Sequence, residues 1–254
     1  MSKTNGIMPK KKIVIITVSV ILLLLFLFRN KIFLPMGEQV KFSVELPKEM
    51  EISPLKVMYR SEICKASKPR SDGGSYKVPG YYYKEVIPSG NGDEYKYDIT
   101  LNGWGICLWE LSNVMIEISY KDLSKKYADT VIGSGVTFVF DNNSPQSFNG
   151  IYEELSGDVF LRKNFFPWVS NKKNQKTLWT YGGQLRSTYK TPQARNISFS
   201  VVSNTESIVY SKWPVDNKNR EYTKYIYPDG DIVVLIDERP DYERLVRIKE
   251  HNNK

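Results

Sequence analysis

Apolar and polar residues alternate along most of this chain. In "GEQVKFSVEL" the apolar positions are Val40, Phe42, Val44 and Leu46, a strict period of two. "PLKVMYR" repeats it with Leu55, Val57 and Tyr59, and "EYKYDITL" with Tyr95, Tyr97, Ile99 and Leu101. "NVMIEISY" sets Val114, Ile116, Ile118 and Tyr120 in line, and "GVTFVF" offers Val136, Phe138 and Phe140. A period of two places each set on one face of a strand. Turn chemistry separates the runs: "SDGG" at 71–74, "PSGNGD" at 88–93 and "DNNSP" at 141–145.

The second half continues in the same style. "TLWTY", "NISFSVVS" and "SIVYSKW" read as strands, and "EYTKYIYPDGDIVVLID" as a hairpin turning at Pro228-Asp229-Gly230. "RPDYERLVRIKEH" reads as a short helix, with Pro240 near its first turn and Leu245 and Ile248 facing inward. The pattern predicts a mainly β protein: an antiparallel, β-sandwich-like domain over 37–140, then a second β-rich region over 141–254. Whether these are one domain or two is open from the pattern.

The start of the chain breaks the alternation. Ile13–Phe28 is sixteen residues without a charge, roughly 24 Å of helix against the ~30 Å hydrocarbon core of a bilayer. Arg29 and Lys31 can snorkel, letting Ile32, Phe33 and Leu34 lengthen the span, so 13–34 reads as a transmembrane anchor after a basic tail, 1–12. A cleaved signal peptide is the rival reading, but "RNKIFLPMGE" contains no small-x-small cleavage site. Lys3, Lys10, Lys11 and Lys12 precede the run, which puts the amino terminus in the cytoplasm and the bulk of the chain across the membrane. In a bacterium that means a single-pass inner-membrane protein with a periplasmic domain.

The charge balance follows from this placement. Of 36 basic residues, six flank the apolar run and no acid precedes Glu38, which leaves 30 basic against 28 acidic residues beyond it. The formal +8 therefore belongs largely to the anchor's flanks and gives no reason to expect a nucleic-acid partner.

Candidate chemistry is sparse. The single histidine, His251, sits in the polar tail "EHNNK", a poor place to hold an imidazole against a nucleophile. No C-x-x-C, H-E-x-x-H or phosphate-cradling glycine loop is present, so neither metal nor cofactor is expected. Glu153-Glu154 and Asp237-Glu238 are adjacent acids; on a strand such neighbours point to opposite faces, so neither pair forms a dyad by itself. A Ser–Lys pair has no motif to mark it. The sequence thus predicts no enzyme. "NFFPWVSNKKNQK" packs Phe165, Phe166 and Trp168 around a proline, which reads either as an exposed aromatic anchor for a protein partner or as a loop pinned to the core.

Two cysteines in an exported domain suggest a disulfide. Cys64 follows one strand and Cys107 precedes another within "LNGWGICLWELSNVMIEISY". With no imidazole at hand to activate a thiol, Cys107 reads as one end of a staple, Gly103 and Gly105 as a bend, and Trp104 and Trp109 as its cover.

"KFSVELPKEMEISPLKVMYRSEICK" followed by "GWGICLWELSNVMIEISY" resembles a group of enterobacterial membrane-anchored periplasmic proteins associated with type VI secretion effector loci. The resemblance covers roughly Lys41–Tyr120, through a strand, "YRS-x-x-C", a glycine-rich approach and "C-x-W-x-L-S-N". It implies an immunity role, in which the domain neutralises a secreted effector by protein–protein contact. The alternatives are a structural or assembly subunit of an envelope complex and a carboxylate-dependent cell-wall or glycan enzyme.

Overall fold

The computed structural model describes residues 10–28, 33–89, 92–121, 123–141, 152–184, 186–214, 222–236 and 239–252. The apolar run forms helix α1 (Lys10–Leu27). No helix among the described residues is long and apolar enough to cross a membrane. The apolar segment also ends earlier than the sequence suggests. Leu34 already pairs with Trp104 in the sheet, and the Phe33 ring stacks on Tyr82 at 5.2 Å. Both residues belong to the folded domain.

The alternating segments become strands. In the first half these are β1 (Leu34–Glu45), β2 (Met50–Ile52), β3 (Leu55–Pro69), β4 (Ser75–Val86), β5 (Glu94–Trp104) and β6 (Trp109–Tyr120). The short helix α2 (Ser124–Tyr127), β7 (Thr130–Ile132) and β8 (Ser134–Val139) follow. Next come β9 (Glu153–Glu154), β10 (Val159–Lys172), β11 (Gln175–Tyr181), β12 (Arg186–Lys190), β13 (Asn196–Ser203) and β14 (Val209–Lys212). The predicted hairpin is β15 (Thr223–Ile226) and β16 (Ile232–Leu235), and the chain reaches α3 (Tyr242–Asn252). The structure is mainly β with a short carboxy-terminal helix, as the alternation predicts.

The pairing is not purely antiparallel. β13 lies between β1 and β10 and runs parallel to both, and β12 runs parallel to β8. The path β10-β13-β1-β5-β6-β8-β12 belongs to one sheet. β5 and β6 pair only at Asn102↔Glu110 and Gly103↔Trp109 and splay apart beyond, which curls the sheet into two facing layers. Phe42 of β1 meets Phe138 of β8 edge-on at 5.8 Å, although the two strands are not neighbours in the sheet.

The larger core uses both halves of the sequence. Val40, Val57, Ile99, Ile116 and Phe138 share it with Phe165, Ile197 and Phe199. Strand pairing thus crosses the expected boundary at Asp141–Pro145, most of which lies outside the described residues. A second cluster joins Phe166, Trp168, Tyr181 and Tyr225 to Leu245 and Ile248 of α3. Asp241 caps α3 by accepting a hydrogen bond from the Arg244 amide at 3.0 Å. The Arg244 guanidinium reaches Asp229 at 2.8 Å and Asp231 at 2.6 Å, tying α3 to the β15–β16 turn.

Candidate protein-binding face

The outer face of β4-β3-β6-β8 can be built from register. Directly paired residues share a face. One row therefore runs Tyr83, Met58, Asn113, Val139, and the next runs Glu85, Lys56, Met115, Thr137. Tyr81 lies two residues before Tyr83 on the same side, their ring centroids 5.4 Å apart. Tyr82 points inward and packs on Trp109 at 5.8 Å. With Arg186 of β12, these rows line a hollow of about 420 Å3. Tyr83 lines the hollow directly opposite buried Met58, with Tyr81 in ring contact beside it; the two tyrosines stay 62% and 55% exposed, respectively. Tyr, Met and Arg are the residue types enriched where proteins meet. The only partner of β4 among the described strands is β3, so β4 has an open edge; Lys77 and Lys84 lie along this strand, and lysines of this kind discourage indiscriminate strand addition.

Lys56 bridges Glu117 at 3.0 Å on this face, and Arg60 lies 3.4 Å from Asp141 at its rim. The first pair is exposed enough to contribute little to stability. Its use is to fix where charge stands around the tyrosines.

The three aromatics expected as a possible anchor are elsewhere. Phe165, Phe166 and Trp168 are all buried, and the exposed reading of them is corrected. β10 pairs with β13 and β14 along one edge and with β11 along the other, and its faces are covered by the two clusters, Phe165 in the larger core and Phe166 and Trp168 in the second. Phe165 packs edge-on against Phe199, Phe166 against Tyr242, and Trp168 stacks on Trp179 at 5.2 Å. The Trp168 indole donates to the Ser211 hydroxyl at 2.8 Å, which satisfies its buried N–H.

Cys64 and Cys107 form a disulfide with their Cα atoms 5.2 Å apart. Cys64 sits in a bulge of β3, where residues 62–65 stand opposite Pro79. Pro79 lacks a backbone donor and suits the unpaired position. The buried Ser61 hydroxyl shapes the bulge. It accepts from the amides of Ile63 and Cys64 and donates to the Cys107 carbonyl. Of the two tryptophans expected to cover the bridge, Trp109 is buried in the core and Trp104 is exposed.

A second hollow contains the strongest electrostatic perturbation among the described lysines. Lys163 of β10 donates to the Ser187 hydroxyl of β12 at 2.6 Å. Burial pulls the Lys163 ammonium down to about 8, and the Glu153 carboxylate only partly offsets this. Gly182, Gly183, Tyr189 and Tyr242 line the same hollow of about 370 Å3. A side chain at Gly183 would press on the Tyr242 ring, and its φ of 83° suits glycine. Ser187 itself is only 7% exposed.

Of the other sequence candidates, Glu153 and Glu154 are exposed on β9, and Asp237 and Glu238 lie outside the described residues. His251 is exposed in the last turn of α3 rather than in an unstructured tail. No group of three His, Cys, Asp or Glu converges on a metal position among the described residues. The chain matches no protein-family profile, no curated protein and no solved structure.

Proposed function

We propose that this chain is a single-pass bacterial inner-membrane protein whose periplasmic β domain binds a protein partner and catalyses nothing. The partner in this reading is a secreted effector of the type VI class, which the domain neutralises as an immunity protein. The observation that carries the binding role is the hollow lined by Tyr83, with Tyr81 in ring contact beside it. Half-exposed Tyr83 stands against buried Met58, with Met115 and Arg186 also in the lining, and half-exposed Tyr81 extends the aromatic surface beside it. Rigid aromatic side chains over an apolar floor are the usual composition of a binding hot spot. The compartment is supported by the disulfide, since such bonds persist outside the reducing cytoplasm. The anchor is supported by the uncharged run Ile13–Phe28 and the lysines before it.

The test uses the full-length protein in detergent as bait for the product of the neighbouring gene. Wild type should capture it, and Y81S/Y83S should lose capture at least tenfold while keeping its thermal midpoint. Equal capture by both would overturn the assignment of the face. An assembly subunit, by contrast, would lose function when α1 is exchanged for an unrelated anchor, whereas a tether tolerates the exchange.

Lys163 and Ser187 favour a second reading, a hydrolase in which the lysine serves as base to the serine. Labelling by a fluorophosphonate probe that disappears in S187A would establish it, and no labelling of wild type would remove it.

A further inference from the structure

We infer that the end of the sheet where the amino-terminal tether joins it lies in the lipid headgroup layer, with Leu34, Met36, Ile63, Trp104, Ile106 and Leu108 inserted between the lipids. The inference rests on the anchor reading above and says what that anchor does to the orientation of the domain.

Connectivity limits the distance. Phe28 is the last described residue after α1, and five residue steps onward Phe33 is inside the domain; fully extended, such a stretch reaches at most about 17 Å. The junction is also fixed rather than loose. The Phe33 ring lies 4.5 Å from that of Tyr59 and stacks on Tyr82, and a side chain at Gly103 would collide with it. The chain therefore leaves the domain at one defined point on its rim.

Around that point the surface is apolar. Each of the six named residues exposes more than half of its surface. Leu34 pairs directly with Trp104, and Met36 follows on the same side of β1. The disulfide brings Ile63, next to Cys64, alongside Ile106 and Leu108, which flank Cys107. Six such groups in one patch are unusual on a soluble surface. Tryptophan in particular favours the membrane–water interface, where its ring is half dissolved in each phase.

Leu108 adds an independent observation. Its φ is 45°, a left-handed conformation that glycine or asparagine adopts at lower cost. The fold makes little use of a leucine side chain that stands half exposed. Strain kept at an exposed apolar residue points to a contact outside the domain. The short apolar run, roughly 24 Å against a ~30 Å hydrocarbon core, draws the junction toward the bilayer rather than away from it.

The test reconstitutes the full-length protein into phosphatidylethanolamine/phosphatidylglycerol vesicles containing a phosphatidylcholine brominated near the top of its acyl chains. Wild-type tryptophan emission should be quenched, and W104F should lose at least half of that quenching. I106S/L108N, which changes only exposed positions, should reduce the quenching of Trp104 twofold or more. Carbonate extraction of the same vesicles is run in parallel. Protein that resists carbonate but shows equal quenching in wild type and W104F overturns the docked end of the sheet alone. Protein that carbonate removes overturns the anchor, and this inference with it.

Discussion

The Tyr120 hydroxyl donates a hydrogen bond to the Phe165 carbonyl at 2.9 Å, joining β6 of the first half of the chain to β10 of the second within a buried site. The same carbonyl accepts from the Asn204 backbone amide and from its side-chain amide, both at 3.0 Å. Removing the hydroxyl therefore does not orphan the carbonyl. Y120F should cost about 1 kcal/mol, the net value of one hydrogen bond, rather than the larger penalty of an unsatisfied buried group. Urea unfolding of the two proteins reads the difference, and a loss above about 3 kcal/mol would mean that the hydroxyl organises the site.

The Cys64–Cys107 bridge spans a sequence separation of 43 residues. Closing a loop of that length removes up to about 4 kcal/mol of unfolded-chain freedom. C64S/C107S should lower the thermal midpoint by roughly 5–15 °C, given about 2–4 °C per kcal/mol in a domain of this size. Hydrogen exchange should rise most at residues 62–65 and 104–108, the two segments that the bridge holds. The unfolded, unreduced wild type should show no thiol reactive toward Ellman's reagent.

Leu108 tests whether strain is stored at the rim. L108N puts a residue that tolerates φ near 45° where leucine now stands. It should raise stability by about 1 kcal/mol and the thermal midpoint by roughly 2–4 °C. A fall in midpoint would show that the leucine side chain is packed against the domain.

The Lys163 ammonium gives stability a pH dependence. Burial lowers its folded value to about 8, while the unfolded chain keeps the ordinary lysine value of 10.5. Between these, the unfolded state binds more protons, so this lysine's penalty on the fold fades as pH rises. Below pH 8 the penalty is fully present, up to about 3 kcal/mol. K163M should therefore be more stable than wild type at pH 7, with the gain shrinking from pH 8 toward 10.5. A gain that is flat across that window would mean that Lys163 stays charged in the fold.

Much of the fold is legible in the sequence because half-buried strands advertise themselves. Val40, Phe42 and Val44 alternate because one side of β1 meets the core, and β6 follows the same logic from Val114 to Tyr120. The Pro228–Gly230 turn and α3 are legible for equally local reasons, and so is the disulfide, from two cysteines in an exported domain. β10 misleads: being covered on both faces, it shows a continuous aromatic run rather than alternation. That is why Phe165, Phe166 and Trp168 resemble a loop anchor when read alone. The parallel insertion of β13 between β1 and β10 leaves no local trace, since nothing in either segment encodes a neighbour about 150 residues away. The hollow beside Tyr83 needs the register of four strands. The triplet Tyr81–Tyr83 hints at it, but only pairing reveals which two rings face out.

β13 as the neighbour of β1 also sets a timetable for assembly. One side of β1 can pair with β5 once Glu94–Trp104 has emerged, but from the synthesis of β1 its other side waits for Asn196–Ser203. At about 5–20 residues per second of synthesis, that wait is roughly 8–30 s. During it, the backbone groups of Lys41–Glu45 stand unpaired on that side of β1. A chain truncated anywhere before β13 keeps that row open permanently, and should be cleared by proteolysis or aggregate rather than persist as a partial domain.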